Sequence, residues 1–202
     1  MEVYEKIMNN FLTDRFIYSA INSLVLVLVI PIMGYIINVI KMLVIRMISK
    51  VLGQKFALFI ANYLSFIGVV HHELSHALFG LITGAKIHKV SIFHPEGDSL
   101  GKVEMSPRGN FIVRAVQLTM AAIAPVVMGT VTEYLLYRYA WPALAELWQK
   151  IILVYIMISV FLHMTMSNAD IKNAVKGLPI CFLIIFVVVY LTNFNIMPFT
   201  LI

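Results

Sequence analysis

Three residues within one apolar stretch have side chains that bind metals or move protons. His72, Glu73 and His76 form the pattern H-E-x-x-H inside residues 69–84, which read VVHHELSHALFGLITG. Side chains four residues apart on an α-helix project from the same side, so His72 and His76 can bind one metal ion. Glu73 lies about 100° around the helix from His72, within reach of a water on that metal. The pattern therefore predicts a zinc site with Glu73 as general base in a hydrolysis.

The same residues have two plainer interpretations. They could form a hydrogen-bonded polar cluster or a structural metal site, because short patterns recur by chance. The surrounding sequence favours chemistry, since ionisable side chains in an apolar segment of membrane length are costly and usually mark a functional site.

The composition indicates an integral membrane protein. Of the 202 residues, 61% are hydrophobic and 12% are charged, whereas soluble domains carry about 25% charged residues. A net charge of +5 would suit a nucleic-acid binder, but the basic residues fall mostly between apolar segments, as at membrane interfaces. We therefore expect contact with a lipid bilayer and no nucleic acid. The single cysteine, Cys181, excludes an internal disulfide and a cysteine-based zinc site.

Five apolar segments read as membrane spans, and the polar opening of the chain predicts no cleavable signal peptide. The predicted fold is an α-helical integral membrane protein with about five transmembrane helices in a single domain, residues 1–202. Pro31 is expected to kink the first span, and the basic amphipathic pattern after it predicts a helix that leaves the membrane or lies along its surface. The predicted spans cover residues 16–40, 56–83, 111–137, 151–166 and 178–199.

One stretch after the histidines does not read as a span. Within residues 86–110, residues 90–93 and 102–105 resemble short strands, and HPEGDSLG between them supplies turn residues. This pattern predicts a short β-hairpin directly after the metal-binding helix.

The predicted hairpin offers a place for a substrate. An extended substrate could pair with its edge, with Val90, Ile92 and Val103 as the candidate substrate-binding residues. The alternative is a surface loop without a role in binding.

A catalytic zinc normally takes three protein ligands, so a third is needed. If every predicted span crosses the membrane, the second and fourth spans end on the same side, which puts Asp170 at a depth similar to that of His76. Asp170, with Asn168 and Asn173 nearby to orient it, is therefore a candidate ligand. An ordinary acid at a helix boundary is the alternative.

Other ionisable residues are weaker candidates for the third ligand. His163 is more simply explained as a structural, hydrogen-bonded histidine, and His71 points away from the face shared by the paired histidines. The remaining candidates belong to the polar hairpin region, where they need no special explanation: His88, His94, Glu96, Asp98 and Glu104.

The sequence resembles the site-2 protease family of intramembrane zinc metalloproteases. The resemblance rests on HELSH in a spanning helix, a strand-like segment ending LGKVEM, Ala124-Pro125 in the next span and an aspartate on a later span. It covers a metalloprotease-like core at residues 56–170. Two features depart from the family's pattern: Asp170 lies outside a Leu-Asp-Gly motif, and no asparagine follows Pro125.

The resemblance implies an activity and a set of roles. His72, His76 and Asp170 would bind one Zn²⁺ per chain, and Glu73 would activate water. The substrate would be a membrane protein, cut in or near a membrane-spanning segment. The resemblance and the excess of basic residues on the side of the hairpin predict a cytoplasmic active-site side, in a bacterial-type plasma membrane.

Two other functional classes remain as alternatives. A membrane metal carrier or transporter would need polar residues along a path through the spans, and the first and fifth predicted spans offer almost none. An inactive membrane scaffold would not need Glu73. A regulatory membrane partner is compatible with a small chain that carries no sensing domain.

Overall fold

The computed structural model describes residues 2–92, 101–192 and 194, with side chains from residue 14 onward. These residues form seven α-helices, two π-helical turns and two β-strands. In chain order they are α1 (Glu2–Leu52), α2 (Gln54–Phe59), a π-turn (Ile60–Leu64), α3 (Phe66–Ile82), β1 (Lys86–Ser91), β2 (Lys102–Ser106), α4 (Phe111–Leu135), a second π-turn (Leu136–Ala140), α5 (Trp141–Ala143), α6 (Leu147–Phe161) and α7 (Asn168–Thr192).

Three helical segments in the described part of the chain are long and apolar enough to cross a bilayer: Asp14–Leu52, Phe111–Ala143 and Asn168–Thr192. A bent pair of helices is a fourth candidate. α6 has 15 residues, whereas a span needs about 20. The helical class and the membrane character of the chain agree with the sequence prediction, but the count of five spans is not confirmed.

α1 extends beyond the predicted end of the first span. The basic stretch after residue 40 continues the same helix, and Pro31 lies inside it. The predicted basic helix is therefore present as a continuation of α1, because no glycine or proline interrupts the chain between Gly34 and Gly53. Gly53 ends the helix with a φ of 84°, a conformation that glycine adopts without strain.

The predicted second span is broken in the middle. The segments Gln54–Leu64 and Phe66–Ile82 meet at 56°, and Ser65 between them has a non-helical φ of −102° and ψ of 29°. Ser159 of α6 bonds both sides of the break: its hydroxyl donates to the Ser65 carbonyl at 3.0 Å and accepts from the Gly68 N–H at 2.8 Å. Backbone groups released by the bend are therefore satisfied inside the protein, as a membrane protein requires.

The end of α3 leads directly into a two-stranded antiparallel sheet. Gly84 has a φ of 87°, and the N–H groups of Gly84 and Ala85 donate to the carbonyls of Leu81 and Gly80 at 3.0 and 2.8 Å. This is a Schellman motif, which stops the helix.

β1 and β2 confirm the predicted pair of strands. β1 begins four residues earlier than expected, at Lys86, and a bulge at His88 shifts the register between Ile87 and Lys89. Residues 93–100, which include Phe93 and most of the predicted turn, lie outside the described residues.

The last two predicted spans are divided differently from the expectation. α6 ends at Phe161 and α7 begins at Asn168, so an unwound segment, residues 162–167, separates them. Asp170 therefore lies in the first turn of α7, not at the end of the preceding span. α7 also continues through Pro179. Gly177 lets α7 approach α4 closely, since a Cβ there would overlap Thr119 Oγ1 and the Ala115 carbonyl.

α4 supplies the centre of the packing. Ala121, Ala124 and Val126 are at most 1% exposed, and the helix packs against α3, α7 and α1. The small residues Ala121 and Ala124 allow neighbouring helices to approach closely. Such close packing drives helix association in a membrane, where the hydrophobic effect between helices is weak. The position of α4 thus fixes α3 relative to α7.

Candidate metal centre

α3 places the two histidines of the H-E-x-x-H pattern side by side. The Nε2 atoms of His72 and His76 lie 3.0 Å apart, and their rings meet edge to face with centroids separated by 4.6 Å. His76 is 8% exposed. The helical spacing therefore brings both imidazoles to one point, as predicted from the sequence.

The other ring nitrogen of each histidine is held by a backbone carbonyl. Nδ1 of His72 donates to the carbonyl of His163 at 2.7 Å, and Nδ1 of His76 donates to the carbonyl of Ala121 at 2.7 Å. A carbonyl can only accept, so the proton of each neutral ring lies on Nδ1 and the Nε2 lone pair is available to a metal.

Asp170 approaches the histidines from α7. Its Oδ1 lies 3.8 Å from Nε2 of His76, while its Oδ2 accepts from the N–H and hydroxyl of Ser167 at 2.8 and 2.6 Å. The Asp170 N–H donates back to the Ser167 hydroxyl at 3.1 Å. This reciprocal capping arrangement fixes the carboxylate and leaves Oδ1 facing the imidazoles.

The three side chains together have the donor set of a zinc site. One ligand atom from each of His72, His76 and Asp170 lies within 4.8 Å of the others. Zinc bonds near 2.1 Å at tetrahedral angles separate neighbouring ligand atoms by about 3.4 Å. The measured separations of 3.0 and 3.8 Å lie on either side of that value. Two nitrogens and one carboxylate oxygen suit Zn²⁺ and leave a fourth position for water.

Glu73 lies beside this group and is 5% exposed. It follows His72 directly in α3, so its side chain leaves the helix about 100° around from that of the histidine. Its side chain also lies against Gly101, the residue before β2, where a Cβ would overlap the Glu73 carboxyl. Glu73 thus neighbours His72 in the chain without being one of the three converging residues, as a candidate general base should.

The unwound segment between α6 and α7 contributes to the centre with its backbone. His163, Met164, Thr165 and Met166 are each at most 8% exposed, so irregular backbone is covered by protein. The carbonyl of His163 orients His72, and Ser167 at the end of the segment orients Asp170. These two contributions were not predicted, and the expected orienting residues Asn168 and Asn173 do not hold the Asp170 carboxylate.

Other candidate residues lie elsewhere. Nε2 of His71 hydrogen-bonds to Thr132 Oγ1 at 2.9 Å, and the His163 ring bonds through Nδ1 to the Ser159 carbonyl at 2.9 Å. His88 pairs with Ser106 on the sheet, and Glu104 lies 3.7 Å from Lys102. His94, Glu96 and Asp98 lie outside the described residues.

The predicted substrate-binding residues lie on the sheet or at its end. Val90 and Val103 are partners across the two strands, and Ile92 follows the last residue of β1. The sheet packs on α3, since a Cβ at Gly80 would meet Ile87 Cδ1 at 2.9 Å and Met105 Sδ at 3.3 Å. The structure therefore brings the strands beside the metal-binding helix.

Comparison with family models, curated proteins and solved structures gives no match to this chain. The resemblance to the site-2 protease family therefore stays a prediction from the sequence motifs alone.

Proposed function

We propose that this protein is an intramembrane zinc endopeptidase, which hydrolyses a peptide bond in or near a membrane-spanning segment of another protein. The observation that carries the proposal is the convergence of His72, His76 and Asp170, whose ligand atoms lie within 4.8 Å of one another. Glu73 beside them distinguishes a hydrolytic site from a purely structural one, which has no need of a base.

The three ligands would hold one Zn²⁺, which when bound polarises water and the substrate carbonyl. His72 and His76 would bind it through Nε2, because a backbone carbonyl accepts a hydrogen bond from Nδ1 of each ring. Asp170 contributes a negative charge that offsets part of the charge of the metal. The firmly held second oxygen of Asp170 keeps the ligand set in one geometry.

Glu73 performs the proton transfers in this proposal. Its carboxylate accepts a proton from the attacking water, and the oxygen of that water forms a bond to the peptide carbonyl carbon. Glu73 then donates the proton to the departing amine nitrogen as the C–N bond breaks. The products are a carboxylic acid and an amine, with no other reactant required.

A membrane-protein substrate accounts for the surroundings of the site. A helical segment must unwind before its peptide bond is accessible, which releases N–H and C=O groups that cannot remain unpaired in lipid. β1 and β2, packed beside α3, offer a sheet edge on which Val90, Ile92 and Val103 would bind the extended chain. We place this side of the protein in the cytoplasm of a bacterial-type cell, by the distribution of basic residues. A regulatory membrane partner would control access.

The proposal is tested first by zinc content and peptide-bond cleavage of the purified protein. We expect one zinc per chain by elemental analysis, and cleavage of fluorescein-labelled casein in detergent micelles with new termini identified by mass spectrometry. The Glu73→Gln protein should keep its zinc, and its cleavage rate should fall by a factor of at least about 100, because a general base contributes 10²–10⁴-fold to the rate. Glu104→Gln, on the exposed strand β2, is the matched control and should cleave normally.

The rival classes give different results. Zinc uptake into proteoliposomes without cleavage would indicate a metal carrier, and absence of both zinc and cleavage would indicate a scaffold. Full cleavage by the Glu73→Gln protein would remove Glu73 from the mechanism.

A further inference from the structure

Gly101 lies against the side chain of Glu73 on α3. It directly precedes β2, and a Cβ built on it would overlap three Glu73 atoms, Cγ, Cδ and Oε1. Such overlap does not occur between real side-chain atoms, so only glycine fits at this position while Glu73 keeps its conformation.

The register of β2 explains how the contact arises. Successive side chains of a strand alternate between faces, so residues 101, 103 and 105 face the same way. Met105 on that face meets α3 at Gly80, and Gly101 meets α3 at Glu73. Four strand residues span about 13 Å and seven helical residues about 10 Å, so β2 runs along α3 between these two contacts.

The contact restricts the side chain that must transfer the proton. A glutamate has three rotatable bonds, and only some of its rotamers direct the carboxylate toward the metal. Glu73 is 5% exposed, and the end of its side chain lies against Gly101. The backbone at Gly101 therefore bounds the space open to the carboxyl group and limits its rotamers.

We infer that Gly101 is a positioning residue for Glu73: the strand β2 holds the general base in place, and the missing side chain at position 101 makes this possible. The inference rests on the proposed function for its catalytic meaning, whereas the contact itself does not depend on that function. It also gives the sheet a second role beside substrate pairing, because displacement of β2 would release Glu73.

The kinetic test is Gly101→Ala in the full-length, zinc-loaded protein. The added methyl group displaces the flexible end of Glu73, and a displacement of about 1 Å in an active site costs about 100-fold in rate. We expect kcat for casein cleavage to fall by about that factor, with KM and zinc content unchanged. The control is Gly80→Ala on the same interface, whose Cβ would meet only the flexible ends of Ile87 and Met105.

The two variants separate positioning from general damage to the sheet. An equal loss of kcat in both, or a rise in KM with kcat unchanged for Gly101→Ala, would overturn the inference. Unchanged kinetics for Gly101→Ala would do the same.

A second measurement tests the contact without any activity. In a double-mutant cycle on the unfolding midpoint, Gly101→Ala should lower the midpoint when Glu73 is present and have no effect in a Glu73→Ala background, where the overlapped atoms are absent. Additive effects would overturn the contact. If the cycle shows coupling but the wild-type protein cleaves nothing, the proposed function fails and the positioning contact remains.

Discussion

Among the described residues, the metal centre and one face of α1 both bury polar side chains, and the two regions differ in how their polar atoms are partnered. At the metal centre, Nδ1 of each histidine and Oδ2 of Asp170 have hydrogen-bond partners from the protein. On one face of α1, the atoms Arg15 Nε, Tyr18 Oη and Asn22 Oδ1 are buried without a partner. Burial of polar atoms alone therefore does not identify the functional region.

The difference lies in which atoms remain available. The partnered atoms of the metal centre leave two Nε2 atoms and one Oδ1 atom directed at a common point. The α1 face has a guanidinium that donates to the Tyr190 carbonyl and lies over its ring, 4.7 Å from the centroid. A guanidinium repels a metal ion, and the phenol and amide beside it are not the imidazole and carboxylate donors of a zinc site. The comparison predicts that substitutions at the metal centre change zinc binding, whereas substitutions on the α1 face do not.

The largest effect is expected from removing a ligand. His76→Ala should weaken zinc binding by more than about 100-fold, because loss of an orienting partner alone costs 10–100-fold. The measurement is competition with a chromophoric chelator, together with the zinc retained after dialysis.

His71→Ala is the matched control for that substitution, on the same helix and of the same residue type. It removes a hydrogen bond to Thr132, worth about 1 kcal/mol of unfolding free energy, and should retain zinc. Equal zinc loss in the two variants would mean that helix stability, not ligation, determines the result.

A smaller effect is expected where the orienting partner of Asp170 is removed. Ser167→Ala deletes a hydroxyl that both donates to the carboxylate and accepts from the Asp170 N–H. We expect zinc affinity to fall by about 10–100-fold and the unfolding free energy to fall by about 0.5–2 kcal/mol through loss of the helix cap. Titration with the same chelator and thermal unfolding in detergent measure the two changes.

The hydroxyl itself can be tested by restoring it. Ser167→Thr keeps the hydroxyl and should recover most of the affinity, while Ser106→Ala on the exposed strand β2 loses a bond to His88 only. A Thr variant as weak as the Ala variant would show that the size of the side chain, not its hydroxyl, matters at this position.

The sequence was sufficient for the parts of the site that depend on local spacing. His72 and His76 converge because a helix repeats every 3.6 residues, and the helix that carries them needed no tertiary information. Ser167 could also have been found, because S-x-x-D before an apolar run is a capping signal that starts a helix. That signal places Asp170 at the beginning of α7. The prediction that Asp170 lies at the end of the fourth span instead assigned it to the preceding helix.

Other parts depend on packing between distant segments. The carbonyls of His163 and Ala121 orient the histidines from 91 and 45 residues away along the chain, and every residue has a carbonyl, so no sequence pattern marks these two. The break at Ser65 is likewise stabilised by Ser159 of α6. The contact of Gly101 with Glu73 follows from the register of β2 along α3, which residue types alone do not determine.

The smallest effect is expected on the α1 face, where Asn22 is 1% exposed. Asn22→Leu removes the hydrogen bond from Nδ2 to the Tyr18 carbonyl, and bonds of this kind inside membrane proteins average about 0.6 kcal/mol. It also removes the unpartnered Oδ1, whose burial is unfavourable, so the unfolding free energy should change by less than about 1 kcal/mol. Zinc affinity should equal that of the wild type. A loss above about 2 kcal/mol, or any loss of zinc, would show that the buried amide has a partner and that the two regions are coupled.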